Sequence, residues 1–87
     1  MSETVRCWLV ERDYYDEDLV TLVYATPDGQ RHLTQQLSTA LLSKRPPTAA
    51  KDIEPERLEP VPDEETRQRY VTEAERVIER HDPDDRV

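Results

Sequence analysis

The sequence is poor in several residue types that common functional motifs require. Its 87 residues include one glycine, one cysteine and no phenylalanine. The single glycine, Gly29, cannot form a glycine-rich loop around a phosphate. The single cysteine, Cys7, can form neither an internal disulfide nor a Cys-x-x-Cys pair for zinc. No stretch approaches the roughly 20 apolar residues that a transmembrane helix needs. We therefore expect one small domain with no membrane span, because so short a chain has little interior to fill.

Acidic residues outnumber basic residues in the chain. The chain has 12 Lys+Arg against 20 Asp+Glu, a net charge of −8, and only Lys44 and Lys51 are lysines. Such a chain repels phosphate on average, which disfavours general nucleic-acid binding. Abundant carboxylates with little Lys and Phe favour a halophilic protein, since at about 1 M salt the Debye length is roughly 3 Å and self-repulsion largely disappears. An acidic mesophilic protein and a disordered acidic segment are the alternatives.

The first residues and the lone thiol bear on localisation. Met1-Ser2-Glu3-Thr4 is not a basic leader and no clean apolar run follows it, so we expect no secretory signal. Cys7 has no second cysteine with which to form a disulfide in the chain. A reducing, cytoplasmic compartment is therefore the prediction.

Three segments in the first 33 residues have the composition of β-strands. Residues 5–10 and 19–25 are rich in β-forming side chains and are apolar on both faces. Residues 13–18 hold four acids and predict a loop between these strands. Pro27-Asp28-Gly29 is typical of a tight turn, since Pro presets φ and Gly accepts a positive φ. Residues 30–33 then return as a third strand, which predicts an antiparallel meander.

The rest of the chain predicts two helices separated by a proline-rich segment. Apolar residues at i, i+4, i+7 and i+8, counted from Leu33, predict a short helix over 35–44. Residues 46–62 hold five of the seven prolines, which precludes a long helix there, and 48–53 could form an edge strand. Asp63 is the expected N-cap of a helix over 63–81, whose apolar residues form one stripe.

Together these elements predict an α+β fold. The expected order is β-β-β-α-(β)-α, which gives a three- or four-stranded antiparallel sheet packed with two helices. Residues 1–81 form the predicted single domain, and residues 82–87 are the expected flexible acidic tail.

No residue pattern indicates catalysis or a bound cofactor. Cys7, His32 and His81 are far apart and lack the spacing of zinc ligands. The acids of residues 13–18 lack the alternation and the central glycine of an EF-hand loop, so a solvated loop is the simpler interpretation. No serine or cysteine lies in a nucleophile motif. We predict no catalytic residue, no metal and no cofactor.

The apolar residues on both faces of the first two strands are the best indication of function. The helices can cover one face, and the other face, with Trp8 and Val10, needs a further cover. Tyr14 and Tyr15 follow at the end of the first strand and either pack inward or form a contact surface. A small domain also gains stability by pairing. We predict a non-enzymatic protein–protein interaction module that binds an unknown protein partner or forms a homodimer.

A local excess of positive charge supports an alternative function. Residues 1–51 sum to −1 and residues 52–87 sum to −7, and within 19–51 the only acid is Asp28. The candidate basic strip comprises Arg31, His32, Lys44, Arg45 and Lys51. Such a strip predicts an accessory nucleic-acid-associated or regulatory factor, unless the acidic half of the chain neutralises it in the fold.

Three runs of residues carry a resemblance to known proteins. They are Trp8-Leu9-Val10-Glu11-Arg12-Asp13-Tyr14, Leu22-Val23-Tyr24-Ala25-Thr26-Pro27-Asp28-Gly29 and His81-Asp82-Pro83-Asp84-Asp85. Together they resemble a small acidic family of uncharacterised haloarchaeal proteins, over nearly the whole chain. The resemblance rests on composition and fold-level elements. It implies a domain of unknown function, and because such families have no assigned catalytic residues, it assigns no site.

Overall fold

The computed structural model describes residues 3–14 and 17–87, which form one antiparallel sheet with two helices. The strands are β1 (Val5–Tyr14), β2 (Leu19–Ala25), β3 (Arg31–Ser38), β4 (Ala50–Ile53) and β5 (Glu59–Pro60), and the helices are α1 (Thr39–Lys44) and α2 (Glu64–Arg80). Neighbouring strands pair antiparallel in the order β4-β1-β2-β3-β5. The predicted α+β fold is confirmed, and the described part of the chain has five strands rather than three or four.

Strand β1 continues into the segment that was predicted to be an acidic loop. Asp13 and Tyr14 still pair with β2, so the loop prediction is wrong for these two residues. A β-bulge interrupts this pairing, because the register shifts between Leu9 and Glu11 and leaves Val10 as the extra residue. Residues 15 and 16 of the predicted loop lie outside the described residues.

The predicted helix over 35–44 is wrong in its first part. Residues 35–38 belong to β3, which pairs with β2 to its end. Leu33 and Leu37 are four residues apart, a spacing that fits the period of a helix and the period of a strand alike. Helix α1 begins only after Ser38, whose Oγ accepts a hydrogen bond from the Leu41 amide at 3.1 Å.

The proline-rich segment contributes two short strands at opposite edges of the sheet. β4, within the expected strand over 48–53, pairs with the first half of β1. β5 was not predicted, because two residues with a proline carry no strand pattern. Pro60 has no amide hydrogen, which an edge position tolerates. The 3-10 turn Pro55–Arg57 connects the two strands.

Helix α2 begins and ends within one residue of the predicted bounds. Asp63 is its N-cap, with Oδ2 accepting hydrogen bonds from the Thr66 amide at 2.8 Å and the Thr66 hydroxyl at 2.6 Å. These bonds favour the charged carboxylate and lower the pKa of Asp63. The predicted helix over 63–81 is confirmed. No helix of the described residues is long and apolar enough to span a membrane.

Each face of the sheet is covered by different elements. The face toward α2, here the α2 face, includes the buried residues Trp8, Val10, Val23, Ala25, Tyr70 and Ala74. The opposite face, here the α1 face, includes Cys7, Leu9, Val20, Leu22, Tyr24 and Ile53. Leu58 and the partly buried Leu42 of α1 pack over this second face. Both faces of the sheet are therefore used to form the core.

The C-terminal residues pair with the segment that precedes β4. The Ala49 amide donates to the Asp85 carbonyl at 2.7 Å, and the Val87 amide donates to the Pro47 carbonyl at 2.9 Å. The backbone of residues 82–87 is thus attached to the domain in this structure. The predicted division into a domain and a flexible tail stays a prediction.

The turn between β2 and β3 lies directly against α2. Gly29 has a φ of +71°, and its amide donates to the Thr26 carbonyl at 2.8 Å. A Cβ atom at Gly29 would overlap the Arg67 carbonyl oxygen and would lie 2.9 Å from Cγ2 of Val71. Glycine is therefore required both by the backbone conformation and by the close approach of the helix.

We expect Gly29→Ala to destabilise the protein by about 2–4 kcal/mol, because it combines a left-handed backbone with an overlap against α2. Urea unfolding followed by circular dichroism measures this difference. Gln30→Ala, at the exposed neighbouring position, is the matched control and should change stability by less than about 0.5 kcal/mol. Equal unfolding midpoints for the two variants would contradict the role of Gly29.

Candidate functional site

The four candidate interaction residues lie in different environments. Trp8 and Val10 are each 8% exposed and pack beneath α2. The structure places them in the core, because α2 occupies the face that was expected to need another cover. Tyr14, at the end of β1, is 61% exposed. Tyr15 lies outside the described residues. Of those described, Tyr14 is the member of this set that a partner can reach.

The candidate basic strip divides between two places in the fold. Arg31 and His32 start β3, whereas Lys44 and Arg45 lie at the end of α1 and Lys51 lies in β4. Arg45 and Lys51 line the same groove on the α1 face. The fold thus brings two members of the strip together and leaves Arg31, His32 and Lys44 outside that groove.

The groove has a floor of sheet side chains and a volume of about 370 Å³. Leu22 and Tyr24 of β2 and Gln35 and Leu37 of β3 form this floor. Leu22 and Tyr24 are 1% and 3% exposed, so the floor belongs to the core as well as to the groove. We name this feature the α1 groove. The accessible part of its floor is formed by the half-buried Leu37 and Gln35, which offer an apolar side chain and a side-chain amide.

The rest of the α1 groove is formed by α1, the segment that links it to β4, and β4 itself. The lining residues there are Leu41, Arg45, Pro46, Pro47, Thr48 and Lys51. The two prolines restrict the backbone, and the Thr48 hydroxyl donates to the Ala50 carbonyl at 2.6 Å. Leu41 is 43% exposed. The groove therefore presents the Leu41 side chain of α1 and the exposed Arg45 beside a segment that its prolines restrain.

The charges of the α1 groove have one sign. Arg45 and Lys51 take part in none of the ion pairs of the described residues. No residue that lines the groove is acidic, although the chain has 20 Asp+Glu. The Lys51 Nζ lies 5.8 Å from the centroid of the Tyr24 ring, within cation–π range. The groove can therefore accept an anionic group that is attached to an apolar one.

Tyr24 supplies an uncharged ring to the α1 groove. Burial raises the pKa of its phenol, and the Arg12 charge opposes this effect in part. The phenol thus stays protonated at neutral pH and adds no negative charge beside Lys51. The electrostatic character of the groove is set by its two cations.

Two other depressions are lined by charges of both signs. One, of about 220 Å³, includes Arg12, whose guanidinium donates to the Val87 carbonyl. The other, of about 290 Å³, is formed by α2 and the residue after it, and its Arg76 is 3.2 Å from Glu73. Because Glu11 lines the first and Glu73 lines the second, these depressions are weaker candidates for an anionic ligand than the α1 groove.

The described residues contain no arrangement suited to metal chemistry. Across residues 3–14 and 17–87, no group of three or more His, Cys, Asp or Glu side chains could hold a metal ion. The predictions that the protein has no catalytic residue, no metal and no cofactor stay predictions. Cys7 is fully buried between β2 and β4, and burial is the largest cause of its raised thiol pKa.

Sequence reasoning missed the floor of the α1 groove. Gln35 and Leu37 were assigned to a helix, and Leu22 and Tyr24 to core strands without a site. The available indication was the run Lys44-Arg45-Pro46-Pro47, in which cations precede a stiff segment. No pattern along the chain shows that this segment crosses the face of β2 and β3, because that path depends on where β4 pairs.

We expect the Cys7 thiol to be inert in the folded protein. A chromogenic disulfide reagent should leave it unmodified under native conditions and react once urea unfolds the chain, since the reagent needs an accessible thiolate. Ser43→Cys, in a Cys7→Ala background, places a thiol at an exposed position of α1 and is the control. Modification of native Cys7 as rapid as that of the control would contradict its burial.

A family model described as "Family of unknown function (DUF7967)" matches residues 1–87. The expected resemblance is confirmed to the extent of an uncharacterised domain that covers the chain. Neither the curated proteins nor the solved structures give a significant match.

Proposed function

The chain belongs to the DUF7967 family of unknown function, and we propose that it is a non-enzymatic protein-interaction module. Its ligand is an acidic, extended segment of a partner protein, which binds in the α1 groove. One observation carries this proposal: in a chain of net charge −8, the groove holds two cations, no lining acid and an apolar floor. A carboxylate from a partner would supply the counter-charge that this chain does not.

The composition of the groove defines the segment that fits it. Arg45 presents a planar guanidinium, which binds a carboxylate through two parallel hydrogen bonds. Leu37 and Leu41 offer apolar contact in the same groove. Successive side chains of an extended segment point to opposite faces, so residues i and i+2 enter the groove together. A segment with an acid at one of these positions and an apolar residue at the other would engage both features. Because the groove is open rather than enclosed, a chain segment can enter it from solvent.

The structure gives less support to nucleic-acid binding through the basic strip. His32 packs on Tyr70, with ring centroids 6.1 Å apart, and its Nδ1 is buried without a hydrogen-bond partner. Such a ring is poorly placed to contact phosphate. The cations that share the groove, Arg45 and Lys51, would neutralise few phosphates, so binding to nucleic acid would be weak. We keep RNA as a competing ligand in the test.

A panel of short synthetic peptides tests the proposal, with Asp or Glu at one position, Leu, Ile or Val two residues later on the same face, and a fluorescent label for anisotropy. We expect binding that is lost when the acids are replaced by Asn and Gln. Arg45→Glu with Lys51→Glu should weaken it about tenfold or more, because two contact ion pairs are replaced by repulsion. Measurements at about 0.15 M and about 3 M KCl separate contact pairing from long-range attraction.

The control for charge alone is Arg57→Glu with Arg80→Glu, two exposed arginines that do not line the groove. This variant makes the same change in net charge and should keep affinity within about twofold, since screening limits distant charges. Equal losses in both variants, or no binding by any peptide, would contradict the proposal. Binding of single-stranded RNA that depends on Arg45 and Lys51, with no peptide binding, would favour the nucleic-acid function.

We also propose that the protein works in the salt-rich cytoplasm of a halophile, as the resemblance to haloarchaeal proteins implies. The described carboxylates support this, because Glu11 and Glu73 are half-buried and all others are exposed. Exposed carboxylates add charge without filling the core, and their repulsion is screened in concentrated salt. The lone buried Cys7 is compatible with a reducing compartment.

We expect the melting temperature to rise between about 0.1 M and about 3 M KCl, as the Debye length falls from about 10 Å to below 3 Å. Circular dichroism at a series of salt concentrations measures it. Glu75→Gln with Glu79→Gln removes two exposed acids one helical turn apart, so it should raise stability in low salt and reduce the salt-dependent gain. A melting temperature that falls with salt would contradict the halophile proposal.

A further inference from the structure

Most of the outer edge of β3 has no neighbouring strand. β3 pairs with β2 along its whole length, but it pairs with β5 only at Arg31 and His32. Residues 33–38 are therefore flanked by a strand on one side only. The outer side of these residues is open, and we call this surface the β3 edge.

Three backbone hydrogen bonds show which groups point outward from β3. The Thr26 amide donates to the Arg31 carbonyl, and the Thr39 amide donates to the Asp18 carbonyl, so odd-numbered residues face β2. The Val61 amide donates to the Gln30 carbonyl on the opposite side. By the same alternation, the backbone groups of Thr34 and Gln36 point away from the sheet, and neither residue has a hydrogen-bond partner on that side in the described part of the chain.

The β3 edge lacks the features that normally prevent strands from pairing between molecules. Proteins protect edge strands with charged residues, proline, bulges or short length. Residues 33–38 read Leu-Thr-Gln-Gln-Leu-Ser, with no charge and no proline, and the register with β2 runs without a bulge. The opposite edge, β4, has only four residues and carries Lys51 and Asp52. The part of β1 beyond β4 also has no outer strand, but it contains the bulge and carries Glu11, Arg12 and Asp13. The β3 edge is therefore the unprotected edge among the described strands.

We propose that a second copy of this chain pairs with the β3 edge and forms a two-fold symmetric dimer with one continuous sheet. The strands are antiparallel, with Gln36 opposite Gln36 of the second copy. The two Gln36 backbones exchange both hydrogen bonds, as directly opposed residues do in this kind of pair. In this register Thr34 lies opposite Ser38 of the second copy, and the position beside His32, which β5 occupies, stays free of the added strand.

Charge and side-chain chemistry favour a second copy as the occupant. Two molecules of net charge −8 repel each other, and the β3 edge is a neutral segment along which they can approach without opposing acids. The proposed register places amide against amide and hydroxyl against hydroxyl. Such polar cross-strand pairs stabilise antiparallel strands. The edge is therefore complementary to itself.

Gln36→Pro tests the dimer with the full-length protein. Proline removes the outward amide hydrogen of Gln36 and leaves the bonds to β2 intact. We expect light scattering to give twice the 10.2 kDa chain mass for the natural sequence and the single-chain mass for the variant. Gln36→Ala keeps the amide and should stay dimeric. Far-ultraviolet circular dichroism confirms that both variants fold.

Hydrogen exchange locates the contact independently of the variants. The amides of Thr34 and Gln36 should exchange slowly at high protein concentration and rapidly at low concentration, because only the dimer protects them. A natural sequence that is monomeric at every concentration in both about 0.15 M and about 3 M KCl would overturn the proposal. A dimer that survives Gln36→Pro, together with rapid exchange of the Thr34 and Gln36 amides of the natural sequence at every concentration, would overturn it equally. Arg45→Glu with Lys51→Glu should leave the dimer intact, which separates this proposal from peptide binding in the α1 groove.

Discussion

The structure depends on β2 being buried on both of its faces. Five of its seven residues are buried and none is exposed, with strands on both sides and helices above and below. A chain of this length can satisfy that requirement only by using nearly all of its remaining elements as cover. α2 covers one face, and α1 with Leu58 covers the other. The position of the proline-rich segment follows from the same requirement.

The sequence predicted an element correctly where the spacing of its apolar residues fitted a helix and did not fit a strand. The helix over 63–81 has an N-cap and an apolar stripe that fits no strand, and it forms as predicted. The region from Leu33 to Leu37 has a spacing compatible with both helix and strand. There the outcome was decided by β2, whose buried residues need a partner along their full length. The spacing of residues 33–37 does not show that β2 needs a partner strand along its full length. β5 is too short to have a pattern at all.

The candidate site was likewise predictable in part from the sequence. Arg45 and Lys51 were identifiable as unusual because they lie in residues 19–51, where the only acid is Asp28. Their union in one groove, and the separation of Arg31 and His32 from it, depends on the crossing of residues 45–48 over the α1 face. Trp8 and Val10 were expected to need a cover because composition alone does not show that α2 reaches both. The distribution of charge along the chain was predictable from the sequence, whereas the grouping of side chains on one surface of the fold was not.

The acidity of the chain and the unprotected β3 edge both affect whether copies of the chain associate without control. In dilute salt, the net charge of −8 keeps chains apart and substitutes for protective residues on the edge itself. In concentrated salt that long-range repulsion is screened, and the length and the residues of each edge decide which contact forms. A contact between β3 and the β4 edge of another copy would repeat without closing and give a filament. The charges and short length of β4 oppose that contact, whereas two-fold pairing of β3 with itself uses each edge once and stops.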